Sequence, residues 1–79
     1  MVINADVQAM PLQLIDREQY PELDLIMWDL AGRFVPPERA LHLYETRWRF
    51  LDQQRLTPPE KVLIERLAQV YGHGVMLTA

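Results

Sequence analysis

Two stretches, VPPERAL at 35–41 and TPPEKVL at 57–63, set a pair of prolines and a glutamate directly before an apolar run. Nothing else in the chain constrains its fold as much. Proline lacks an N–H and its ring clashes with the preceding turn, so it is tolerated in the first turn of a helix and breaks one further in. A glutamate in that same turn faces the positive end of the helix dipole. Both stretches therefore mark helix starts, and whatever precedes each must end there. Thr57 can cap the second, and Thr57 with Glu60 has the spacing of a capping box. Val35 offers no side-chain cap to the first. The resemblance between the two stops after Leu41 and Leu63, so this is one device used twice and not a repeat array.

Helices over 36–53 and 58–71 follow from these starts. On the first, Leu41, Tyr44, Trp48 and Leu51 recur at i, i+3, i+7 and i+10, an apolar stripe. On the second, Leu63, Leu67, Val70 and Tyr71 share a face with Val62, Ile64 and Ala68 beside it, while Lys61, Glu65 and Gln69 line the other side. A third helix is expected over 21–31. Tyr20 is held extended by the proline after it, Pro21 suits a first turn, and Gly32 is the stop. Its stripe is Leu23, Ile26, Met27 and Leu30; Leu25 and Trp28 fall outside it. Residues 1–15 alternate weakly around Pro11 and read as an extended arm, and 72–79 as a short tail. The expected fold is mainly α: one small three-helix domain over 1–79, whose arm and tail are candidates to pair as a minor two-stranded sheet.

A chain of 79 residues lies near the lower end of what folds alone, and with no cysteine it has neither a disulfide nor a thiolate metal site to help it. Stability of about 4–12 kcal/mol has to come from apolar burial or self-association, for which 49% hydrophobic residues suffice. MVINADVQAMPLQLI has no basic region leading into a long apolar run, so neither a secretory signal nor a membrane span is expected, and the cytoplasm is the default.

The net charge of −3 exerts no general pull toward nucleic acid, but its distribution is uneven. Residues 1–32 carry six acids (Asp6, Asp16, Glu18, Glu22, Asp24 and Asp29) against Arg17 alone. Residues 33–56 reverse this, with Arg33, Arg39, Arg47, Arg49 and Arg55 against Glu38, Glu45 and Asp52. One half can complement the other within the fold, or show an acidic face to a partner. YETRWRF, residues 44–50, places Trp48 between two arginines, a pattern that also suits nucleic-acid stacking. Arg47 and Arg49 lie about 100° to either side of Trp48 on a helix, which makes Trp48 a core residue first. Arg47, with no acid three or four residues away, is the loose end.

LTPPEKVLIERLAQVYG, residues 56–72, resembles the opening of the helix-turn-helix domain of quorum-sensing-type response regulators. Such domains need two further helices, one of which enters the major groove. Only seven residues follow Gly72, so that mode of DNA reading is not expected here.

Catalytic chemistry finds little support. Serine is absent, the three glycines form no phosphate loop, and no cofactor is expected. His42 and His73, with Glu38 or Glu45, lack the spacing of a metal site, and none is expected. We expect a non-catalytic helical domain of bacterial type that docks on another protein or on itself as an adaptor, inhibitor or antitoxin-like partner, a dimer being one form. The candidate contact residues are Leu25, Trp28, Asp24 and Asp29; if Leu25 and Trp28 stand in solvent they mark an interface. The alternative is nucleic-acid binding through Arg39, Arg47 and Arg55, which requires these three to converge unpaired.

Overall fold

The computed structural model describes residues 13–72. Three α-helices and a two-stranded antiparallel sheet make up the fold: β1 (Ile15–Asp16), α1 (Pro21–Ile26), β2 (Phe34–Val35), α2 (Pro37–Arg47) and α3 (Pro58–Tyr71). The mainly α fold of three helices is as the sequence predicts. The sheet joins the end of the arm to the segment before α2, with Ile15 opposite Val35 and Asp16 opposite Phe34. The expected pairing of arm with tail falls largely on residues outside those described.

Side chains alternate across a strand, so Ile15 and Val35 go together to the core face and Asp16 and Phe34 to the outer one. The core collects these two with Leu23, Ile26 and Met27, then Ala40, Leu41, Leu43, Tyr44 and Leu51, and Leu63, Ile64 and Leu67 from α3. Trp48 is half-buried against it, as its place on the stripe requires.

Both proline pairs start helices. Thr57 caps α3 by accepting from the N–H of Glu60 at 3.3 Å, and α2 begins at Pro37 with no side-chain cap. α3 spans the predicted 58–71, and the N–H of Gly72 donates to the carbonyl of Ala68 at 2.8 Å.

The other two helices are shorter than their periodicity predicts. α1 ends at Ile26, because Met27 (φ −98°, ψ 23°) leaves the helix, and a turn follows in which the N–H of Leu30 donates to the Met27 carbonyl. Gly32 then takes φ +99°, a left-handed conformation that costs glycine little. α2 ends at Arg47 instead of 53. Trp48–Phe50 and Gln53–Arg55 continue as single 3-10 turns, the second capped by Asp52, which accepts from the N–H of Gln54. Leu51 still points inward from extended backbone, so the apolar stripe is kept although the helix is not.

Candidate functional site

Glu60 is fully buried and accepts hydrogen bonds from both α1 and α2. Its Oε1 accepts from the backbone N–H of Glu22 at 3.1 Å. Its Oε2 accepts from the N–H of Leu23 at 2.8 Å and from the hydroxyl of Tyr44 at 2.6 Å. Those two N–H groups belong to the first turn of α1, where helix donors lack partners and where the N-cap residue, Tyr20, makes no side-chain bond. Thus the expected capping box in α3 is half made: Thr57 bonds the Glu60 N–H, while the Glu60 carboxylate caps α1. Glu22, also buried, uses its Oε1 to accept from the N–H of Asp52 at 2.9 Å. Burial, followed by the hydrogen bond and charge of Glu60, pushes the Tyr44 hydroxyl far above its ordinary range, so it stays protonated and donating. A buried carboxylate beside a tyrosine resembles an acid–base pair, yet these atoms are occupied in holding elements together.

Arg17 works at the opposite end of α1. Its Nε donates to Asp24 Oδ1 at 2.7 Å, NH1 donates to the carbonyls of Leu30 and Gly32, and NH2 donates to those of Asp24 and Met27. All five guanidinium N–H groups are used. Arg47 adds a further bond, from NH1 to the Ile26 carbonyl at 2.8 Å, and forms a two-pronged ion pair with the Asp29 carboxylate. Carbonyls released where α1 stops are therefore taken up by two guanidinium groups, which is why the helix can end before its apolar pattern does. Arg33 pairs in the same two-pronged way with Asp16, at 2.9 and 2.8 Å, and lies over the Phe34 ring. The hydrogen bond from Arg47 holds the Asp29 carboxyl below the usual carboxylate range, and that from Arg33 does the same for Asp16.

Sequence reasoning missed Glu60, Glu22 and Arg17. For Glu60 a signal existed: it precedes Leu63 and Ile64 by three and four residues, which places it on the buried stripe of α3. Arg17 is surrounded by acids in sequence, but its main partners are carbonyls, which carry no sequence signal.

The predicted contact residues separate into two groups. Asp29 and Arg47 pair with each other and Asp24 pairs with Arg17, so three expected surface charges are engaged within the fold. Arg47 is thus not the loose end its sequence neighbours imply, because its partner lies 18 residues away. The other group faces solvent. Leu25 is 51% exposed and Trp28 81%; Phe34, which was not predicted as a contact residue, is 55% exposed. Arg39 and Arg55 are exposed and make no ion pair among the described residues. Arg39 and Arg47 sit at opposite ends of α2, about 12 Å apart along its axis at 1.5 Å per residue. The three arginines of the nucleic-acid alternative therefore do not present one unpaired cluster.

A pocket of about 230 Å³ is lined by Met27, Leu30 and Ala31 after α1, by Phe34, Val35 and Pro36, and by Arg39. A second hollow, of about 420 Å³, lies against Trp48, Leu56 and Ile64, with Lys61 and Glu65 also lining it. Among the described residues, no helix is long and apolar enough to cross a membrane. Compared with models of known protein families, with characterised proteins and with solved structures, the chain matches none of them. What it does has to be read from its own surface.

Proposed function

We propose that this chain is a non-catalytic protein–protein interaction module of the cytoplasm, acting as an adaptor, inhibitor or antitoxin-like partner. The observation that carries this reading is Trp28, 81% exposed on the turn after α1, with Leu25 exposed three residues before it. A tryptophan buries about 150–250 Å² when covered, and aromatic anchors of this kind dominate binding energy at interfaces. Its exposure here does not come from a shortage of core positions: Trp48 and Tyr44 both pack inward in the same fold. The occupied oxygens of Glu60, and the bond that Glu22 Oε1 accepts from the Asp52 N–H, favour a structural role for the buried carboxylates over catalysis. The internal pairing of Arg47 favours a protein partner over nucleic acid.

The test is affinity capture of the tagged chain from its native lysate, with and without nuclease, beside the Trp28→Ala variant. Trp28→Ala should leave stability within about 0.5 kcal/mol, as expected of an exposed position. A stoichiometric protein that survives nuclease and is lost with Trp28→Ala is the expected result. Recovery that collapses with nuclease, or that ignores Trp28→Ala, would overturn the reading.

A further inference from the structure

The strand β2 has one edge on β1, and both of its residues also line the 230 Å³ pocket. Hydrogen-bonded and non-bonded residue pairs alternate along an antiparallel ladder. The N–H of Arg17 donates to the Arg33 carbonyl at 3.0 Å, so Asp16 and Phe34, one step along, form a non-bonded pair. The N–H and C=O of Phe34 consequently point away from β1, and no hydrogen bond among the described residues takes either of them. Three successive residues, Phe34 to Pro36, line the pocket. Because successive side chains point to opposite faces, a pocket touching all three runs along the edge of the strand and not over one face. Pro36 has no N–H, so a strand pairing with this edge must stop there. Beyond it Arg39, exposed and without an ion pair among the described residues, closes the lining.

We propose that the open edge of β2 and its pocket take the carboxy-terminal residues of an extended peptide: main-chain bonds to Phe34, the last apolar side chain in the pocket, and the terminal carboxylate on Arg39. Each part selects something different. An N–H and C=O without a partner among the described residues select extended main chain. The pocket, at about 230 Å³, is below the roughly 300–1,000 Å³ of small-molecule sites and suits one apolar side chain. The guanidinium selects a carboxylate. With the carboxylate at Arg39, the peptide runs in the same direction as β2. This rests on the reading of the chain as an interaction module but does not require Trp28, whose surface would be occupied separately.

The experiment titrates the isotope-labelled chain, followed by NMR, with a short acetylated peptide of alternating threonine and valine ending in leucine. One form carries a free carboxylate and the other is amidated. The free acid should move the amide resonances of Phe34, Val35 and Arg39, with a dissociation constant of roughly millimolar, since one residue of edge and one side chain offer little binding surface. The amidated form should bind roughly tenfold more weakly, as expected for loss of a charge-assisted hydrogen bond. Arg39→Gln should reduce the free acid to the affinity of the amide. No shift at Phe34 up to the solubility limit of the peptide would overturn the proposal, and so would equal binding of acid and amide, which needs no variant. Shifts at Phe34 that grow with protein concentration alone would place a second copy on this edge and overturn it as well. Failure here leaves the Trp28-dependent capture untouched, and failure of that capture leaves this titration standing, so the two readings fall separately.

Discussion

At Glu60 a single carboxylate meets three donors and no acceptor: two backbone N–H groups of α1 and the Tyr44 hydroxyl. A glutamine of the same shape would set its amide N–H against those donors and lose the charge that all three face. Leaving buried partners unmet costs about 1–3 kcal/mol each, with less than full additivity. Glu60→Gln should therefore destabilise the fold by about 2–4 kcal/mol, a large share of what a chain this size possesses. Tyr44→Phe removes one donor and leaves the carboxylate its two backbone bonds, so it should cost about 1–3 kcal/mol. Urea denaturation of the two single variants and the double variant checks this. The double variant should lose clearly less than the sum, because the Tyr44 bond is already compromised once Glu60 is changed. A simple sum would show that the two side chains act independently, contrary to the 2.6 Å contact between them.

Six residues are too few for a helix to hold itself, since nucleation is costly and each end leaves four backbone groups without partners. α1 survives because other elements supply what it lacks. A carboxylate from α3 sits on its positive end, and two guanidinium groups sit on its negative end, the favourable arrangement at both. Arg17→Lys tests the second half. A lysine keeps the charge but has one compact donor group in place of a planar fork and cannot reach carbonyls spread over residues 24–32. The expected cost is about 1–3 kcal/mol, with hydrogen exchange accelerating first in 24–32. Protection unchanged in that segment would mean the carbonyls are satisfied without Arg17. The same dependence explains what was legible in the sequence at this scale. α3 carries its own start, cap and stripe, and its limits of 58–71 could be read directly. α1 ends where distant arginines collect its carbonyls, and α2 gives way to a 3-10 turn at Trp48, while periodicity alone runs on through both. Leu25 and Trp28 were legible as residues off the stripe. The pocket beside β2 was not, because it depends on a sheet pairing set by residues 18 and 20 positions apart.

Across the whole molecule, the acidic first third and the arginine-rich middle pair with each other: Asp16 with Arg33, and Asp29 with Arg47. This uneven charge was visible in the sequence as two alternatives, internal complementarity or an acidic face for a partner, and the ion pairs realise the first. They also set a response to acid. Both carboxyls are held below their ordinary value of 3.8 in the folded chain, chiefly by hydrogen bonds from their arginines. A group whose pKa is depressed on folding contributes stability that is fully present above its unfolded pKa and is lost as pH falls through its folded pKa. The contribution of these pairs should thus be constant from neutral pH to about 5, decline below about 4, and disappear in stronger acid. Both pairs are solvent-accessible, so added salt should weaken them too. Asp29→Asn isolates one of them: it should lower the urea midpoint at neutral pH, and its midpoint should then fall less than that of the parent chain between neutral pH and about pH 3. Curves that stay parallel over that range would mean that Asp29 ionises alike in the folded and unfolded chain. In that case Arg47 would be held by the Ile26 carbonyl alone and would again be available to an anion from outside.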